Sequence, residues 1–153
     1  MRRPGENEFV EFIENTEPRL HRALVARFGW ETGREATAEA LGYAWEHWPK
    51  IAKMVNPAGY LYRVGASRVR QRKAGALFPP KDDGTSWFEP TLGPSLAALS
   101  ERQRIAVVLV HGYGWSAREV AEMTGLKTST VQSHVERGLA HLREQLKVDD
   151  DRA

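Results

Sequence analysis

The sequence predicts an all-α protein: two small helical modules, residues 1–73 and 96–148, joined by a Pro/Gly-rich linker at 74–95 and followed by an acidic tail at 149–153. Three observations predict it. Apolar residues recur at steps of three and four in both modules, and nothing reads as a strand pair. Helix-start signatures stand in front of those stripes. Between them, residues 74–95 hold four of the eight prolines and three of the thirteen glycines, and no helical or alternating period survives there. A structureless stretch of that length is unusual inside one compact domain, which makes it a connector.

In the first module, Phe9, Phe12, Ile13, Leu20, Leu24 and Phe28 predict a helix interrupted by Pro18 and stopped at Gly29. A second helix is expected from Arg34 to Met54, with Leu41, Trp45, Trp48, Ile51 and Val55 as its apolar stripe. Asn56 then reads as an N-cap with Pro57 at the first helical position, opening a third helix to Lys73. Tyr60, Leu61, Val64 and Val69 would face its neighbours. In the linker Phe78, Trp87 and Phe88 either dock on a module or a partner, or stand exposed. The second module has three helix starts. Ser100–Gln103 and Ser116–Glu119 fit capping boxes, and Ser129 opens a third helix unless Thr128 caps it instead. Glycines in His111–Trp115 and in Thr124–Leu126 suit the turns between them. Asp149–Asp151 reads as a solvated tail.

Composition narrows the function. No apolar run approaches the ~20 residues that span a bilayer, so no membrane insertion is expected. The first residues turn acidic where a secretory signal would turn apolar, which points to a cytoplasmic setting. The absence of cysteine excludes a disulfide scaffold, a thiolate nucleophile and a Cys-ligated zinc site. The five histidines lie far apart, so no metal is expected. Glu35 and Glu39 share one helical face and could imitate a catalytic carboxylate pair. Without a phosphate loop or a Ser-His-Asp context they read as a solvated or partner-binding face, so the sequence predicts no enzyme and no cofactor. Net charge is only +2, but residues 63–73 carry five cations and no acid. A local basic stripe of that kind suits a polyanionic partner.

The second turn of the C-terminal module carries the sharpest signal. Ala121 supplies a small side chain where two helices cross steeply, and Gly125 supplies tolerance of positive φ in the tight turn. Val131, Val135, Leu139 and Leu142 form the inner stripe of the following helix. That leaves Lys127, Thr128, Ser129, Gln132, Ser133, Glu136 and Arg137 facing outward, with Arg118 at the start of the preceding helix. Such a helix can enter a major groove and read base edges with short hydroxyl and amide groups, while Arg118 holds a phosphate. An ordinary helical hairpin with a polar outer face is the bland alternative.

These residues resemble a known family, the extracytoplasmic-function (ECF) group of bacterial sigma-70-type sigma factors. The strongest stretch runs Leu99-Ser100-Glu101-Arg102-Gln103-Arg104, Gly114-Trp115-Ser116, Glu119-Val120-Ala121-Glu122, Thr130-Val131-Gln132-Ser133-His134 and Leu142-Arg143. It is similar to region 4, which binds the −35 element and the polymerase flap. Ala44-Trp45 resembles the end of the clamp-binding helix of region 2, and Tyr60-Leu61-Tyr62-Arg63-Val64 resembles its −10 helix. The resemblance implies an RNA polymerase sigma factor that binds core RNA polymerase and directs initiation at promoter DNA, with an anti-sigma factor as a third candidate partner. Polymerase binding would fall to Glu35, Glu39 and Trp45. The −10 element would fall to Asn56, Arg63, Ser67, Arg68, Arg70, Arg72 and Lys73. Ala38 and Arg34 depart from the family's acidic, glutamine-ended run, and Ser67 stands where asparagine is common.

Two alternatives keep the helix-turn-helix and drop initiation: a LuxR-like regulator and a degenerate sigma-like protein. A response-regulator receiver would be an α/β unit with phospho-acceptor aspartates, and residues 1–75 contain no aspartate.

Overall fold

The computed structural model describes residues 5–69, 74–79 and 92–152, the last five by backbone alone. Helix α1 (Glu6–Phe28) continues through Pro18, where the sequence predicts an interruption. Pro18 forfeits one intrahelical bond. The C-terminal half beyond it buries Leu20, Ala23, Leu24 and Ala26, and that packing holds the helix together across the missing donor.

Helix α2 (Trp30–Glu46) buries a face of small residues, Gly33, Ala36, Thr37, Ala40 and Ala44, rather than the expected large stripe. Small side chains let the backbones approach. A Cβ at Gly33 would stand 2.5 Å from the Val25 Cα, and one at Gly65 would stand 2.8 Å from the Ala36 carbonyl oxygen. Leu41 and Trp45 are only half-buried, and Val55 is fully exposed, so these three flank or leave the core. The predicted helix from Arg34 to Met54 also breaks. α2 stops before His47, and a single turn, α3 (Trp48–Ile51), restarts with Pro49 in its first turn, where a missing N–H costs nothing. Trp48 and Ile51 are buried as expected.

Helix α4 (Pro57–Arg68) begins where the sequence places it. The Asn56 side chain accepts from the Gly59 N–H at 3.1 Å. It ends at Arg68, short of Lys73, because Val69 turns extended (φ −110°, ψ 141°). Arg70, Arg72 and Lys73 lie outside the described residues, as do Trp87 and Phe88.

The C-terminal module begins with α5 (Leu92–Ala98), four residues inside the span read as linker. Its Gly93-Pro94 pair disguises the start, yet proline is tolerated in a first turn. Ser100 caps α6 (Glu101–Val107), which widens into a π-helical turn over Val108–Gly112. Helices α7 (Ala117–Thr124) and α8 (Thr128–Arg152) follow. Lys127 holds the position before α8, and its carbonyl accepts from the Val131 N–H, so neither Thr128 nor Ser129 is the cap. The α8 backbone stays helical through the Asp149–Asp151 run that reads as a tail. Gly138 lets α8 close on α6, since a Cβ there would stand 2.6 Å from Val107 Cγ2.

One apolar cluster runs through both modules, from Leu24, Ile51 and Leu61 to Leu109, Val120 and Val131. Arg104 of α6 bridges them. It is 4% exposed and donates through Nε to the Ala26 carbonyl (2.8 Å), through Nη2 to that of Arg27 (2.6 Å) and through Nη1 to that of Leu99 (3.3 Å). Among the described residues no helix is long and apolar enough to cross a membrane.

Two glycines of α2 give opposite expectations. Gly33→Ala drives a methyl into α1 and should destabilise the fold by roughly 1–3 kcal/mol, as overpacking does. Gly42→Ala meets nothing within 4 Å and should stabilise it by about 0.5–1 kcal/mol through helix propensity. Urea unfolding followed by circular dichroism checks both signs.

Candidate nucleic-acid interface

Local hydrogen bonds set the helix-turn-helix. At α7 the Ser116 Oγ accepts from the Glu119 N–H at 3.0 Å, and Glu119 Oε1 accepts from the Ser116 N–H at 3.2 Å. This is the capping box the sequence predicts. The Ser116 N–H first, then the Ser116 hydroxyl, with Arg19 adding to them, hold the Glu119 carboxyl below the usual carboxylate range. At the other end Gly125 is left-handed (φ 82°) and its N–H reaches the Ala121 carbonyl at 2.9 Å. Thr124 Oγ1 donates to the Val120 carbonyl at 2.8 Å.

This turn leaves α8 with Val131 fully buried and Leu142 nearly so, while Val135 and Leu139 pack half-buried beside them. Lys127, Thr128, Ser129, Gln132, Glu136 and Arg137 are exposed and Ser133 is half-exposed, so the structure brings the predicted groove-facing row together on one surface. Arg118 is exposed at the start of α7, with its Nε 3.4 Å from Glu122. Burial, and then Arg102 and Arg137, press the His134 imidazole below its usual range, so it adds no charge to this face at neutral pH.

The first module is placed less simply. Glu35 and Glu39 are exposed one turn apart on α2. Trp45 does not stand free beside them: its ring packs 5.0 Å from that of Phe9 and pins α1 to α2. Arg63 and Arg68 are exposed on α4, and the Ser67 hydroxyl donates to the Val64 carbonyl at 2.7 Å. Asn56 serves twice. Its Oδ1 caps α4, and its Nδ2 donates across the module boundary to the Glu122 carbonyl at 2.8 Å. Both ends of the amide are therefore engaged.

Four more contacts close the same boundary. Arg19 pairs with Glu119 at 2.9 Å and Arg27 with Glu101 at 3.0 Å. The Arg19 guanidinium lies 4.7 Å over the Trp115 ring, and that of Arg22 lies 4.8 Å over Tyr113. Phe78, whose place the sequence leaves open, is half-buried at an apolar cavity of about 350 Å³ beside Leu96, Val108 and Leu142. Sequence reasoning also misses a half-buried tyrosine pair, Tyr43 and Tyr60, edged by the exposed His47, where a helical stripe alone gives no sign that the rings meet across α2 and α4.

Comparison with known proteins follows the same division. Residues 95–142 match the family described as sigma-70, region 4. An RNA polymerase sigma-E factor of Streptomyces coelicolor is 38% identical over 73 residues, a match spanning 46% of this chain and 41% of that protein. The chain thus aligns with less than half the length of that curated relative. The fold is also that of the sigma factor RpoE from Bartonella quintana, solved with the anti-sigma factor NepR. That structure superposes with a TM-score of 0.65 at 20% identity, over 94% of this chain and 99% of the other. The resemblance to the extracytoplasmic-function sigma factors is borne out, most closely over residues 95–142, which match sigma-70 region 4.

The boundary contact can be tested apart from the cap. Asn56→Asp keeps an oxygen for the Gly59 N–H but turns a repulsive oxygen toward the Glu122 carbonyl. It should cost about 0.5–1.5 kcal/mol, and Asn56→Ala about 1 kcal/mol more through the lost cap. Urea unfolding of the two variants reads the difference, and circular dichroism should show helix content kept in the aspartate form.

Glu119 gives a pH signature. Its folded pKa lies below the ordinary 4.5, so its contribution is fully present above that value. It is lost as the pH falls through the lower folded value. Glu119→Gln should therefore flatten the acid limb of stability, measured as the urea midpoint between neutral pH and pH values below 4.5.

Proposed function

We propose that the chain is an ECF-type RNA polymerase sigma factor, a specificity subunit that binds core RNA polymerase and directs promoter-specific initiation without a catalytic site of its own. The observation that carries this reading is the exposed row from Lys127 to Arg137, held by a capped helix-turn-helix inside the stretch that matches region 4. Residues 96–148 take the −35 element. Gln132 makes a bidentate contact to adenine, Arg137 reaches guanine or a phosphate, and Arg118 clamps the backbone beside the α7 N-terminus. Residues 1–73 take core polymerase through Glu35, Glu39 and part of Trp45. They take the −10 strand through Arg63, Ser67, Arg68, Arg70, Arg72 and Lys73. Asn56 joins that set once Glu122 releases its amide. An anti-sigma factor is a natural further partner, since the similar RpoE structure holds NepR.

Run-off transcription from a promoter library, with core polymerase and this chain as the only sigma subunit, tests the reading. Gln132→Ala should cost about 1–3 kcal/mol and relax preference at one base pair. Arg118→Ala should weaken all sequences alike and lower the salt slope by about one unit. Duplex binding without association to core polymerase would instead favour a helix-turn-helix regulator that does not initiate.

A further inference from the structure

The apolar cavity of about 350 Å³ is built from separate stretches of chain. Leu96 of α5, Val108 after α6, and Leu139 and Leu142 of α8 line it, and Phe78 closes one side. Its polar groups come from one short turn. The π-helical turn Val108–Gly112 and the residue after it bring His111 and Tyr113 to the lining, and both are exposed, so they stand at the mouth. A π turn holds more residues than an α turn and swings side chains out of the α-helical register. Here the Tyr113 N–H keeps it wide by donating to the Val108 carbonyl at 3.1 Å. The Arg22 guanidinium, 4.8 Å over the Tyr113 ring, brings a positive charge to the same end.

Phe78 reaches the cavity from the first module. The Gly75 N–H donates to the Phe28 carbonyl at 3.2 Å, the Trp30 N–H donates to the Ala76 carbonyl at 2.9 Å, and Leu77 is buried. The chain over Gly75–Leu77 is thus tied to the α1–α2 junction before the Phe78 ring joins the cavity wall.

We propose that this cavity binds the acyl chain of a medium-chain fatty acid, with the carboxylate at the His111–Tyr113 mouth. An occupant with one polar end and an apolar body matches a lining whose polar groups lie at one end. The volume falls at the lower end of the ~300–1,000 Å³ range of small-ligand sites, which suits a single chain and not a two-chain lipid. The Tyr113 hydroxyl and a His111 ring N–H donate to the carboxylate, and Arg22 supplies the opposite charge. Because the walls come from both modules, the bound chain favours their joined arrangement over the separated one. The site is distinct from the exposed row on α8 and holds whether or not the chain directs initiation.

The test is calorimetric titration of the full chain with octanoate and decanoate below their micelle concentrations, with decyltrimethylammonium as the cationic counterpart. Decanoate should bind one per chain and about fifteenfold tighter than octanoate, the gain from burying two more methylenes. Its binding should carry a negative heat-capacity change, the mark of apolar burial. Decyltrimethylammonium should bind roughly tenfold more weakly than decanoate, since it meets Arg22 with like charge, and Arg22→Gln should narrow that difference. Gly112 also lines the cavity, its φ is not positive, and a Cβ there would meet only Val108 Cγ1, at 3.9 Å. Gly112→Leu should therefore fill the space and abolish decanoate binding at an unchanged melting temperature. The chain-length series needs no variant, so it decides the matter even where that substitution unfolds the chain. No saturable binding, an affinity that ignores chain length, equal binding of the cationic amphiphile, or undiminished binding by folded Gly112→Leu would overturn the site. Binding that appears only after Trp87 and Phe88 are both changed to alanine would overturn it too, by giving the cavity to the chain's own linker. Run-off transcription, normal or absent, moves none of these readouts.

Discussion

The closed arrangement of the two modules depends on a buried guanidinium. The last turn of α1 leaves carbonyls without intrahelical partners, and the dipole concentrates negative charge there. Arg104 enters from α6 and covers the Ala26 and Arg27 carbonyls while keeping a third bond to Leu99 in its own module. Arginine suits this place because it stays charged when buried and presents its donors in a rigid fork. Without it, two carbonyls of α1 and the apolar seam beside them would lie under α6 unsatisfied. The surrounding contacts repeat the theme. Arg19, Arg22 and Arg27 project from one helix onto Glu119, Trp115, Tyr113 and Glu101 of the other module.

The interior of each module works differently. α1, α2 and α4 meet through Gly33, Ala36, Ala40, Ala44 and Gly65, so their backbones lie close and the rings of Phe9, Phe12, Trp45 and Trp48 gather at one end. α6 and α8 meet the same way at Gly138. The modules are closely packed inside, while the boundary between them adds charged contacts to the apolar cluster that crosses it. A carbonyl or guanidinium exposed by separation finds solvent partners at once, whereas a helix pair pulled apart at Gly33 would lose its core.

What the sequence made legible follows the range of the forces. Caps and turns are written within four residues, so Asn56, Ser100, Ser116 and Gly125 could be read directly. The outward row on α8 followed from the 3.6-residue period and one tight turn. Three features could not be read because they depend on partners far along the chain. The alanine face of α2 is core only because α1 and α4 approach it, and the large residues beside it drew attention instead. Pro18 and Gly93-Pro94 carry breaker chemistry that tertiary packing and first-turn placement make harmless. Asn56 and Arg104 bind across the boundary at separations of 66 and 77–78 residues, which no local pattern encodes. The same is true of His47 and Tyr60, whose shared surface exists only once α2 and α4 are packed.

A chain that reads both promoter elements cannot do so in this arrangement. Centres about 25 base pairs apart lie about 85 Å apart along the duplex at 3.4 Å per base pair. Here α4 touches α7, and the Asn56 amide is held by Glu122. The chain between Val69 and Leu92 can extend to about 75–80 Å at 3.3–3.6 Å per residue, so with the modules' own width the covalent reach suffices. Energy rather than length therefore holds the modules together, in Arg104, the flanking ion pairs and the apolar cluster that continues from one module into the other. A partner opens such a chain only through a difference in affinity, by binding the separated modules better than the joined ones. On the proposed reading, a polymerase that binds the two modules at separate surfaces would supply that difference, whereas promoter DNA alone would first have to break the Asn56–Glu122 contact to reach the amide.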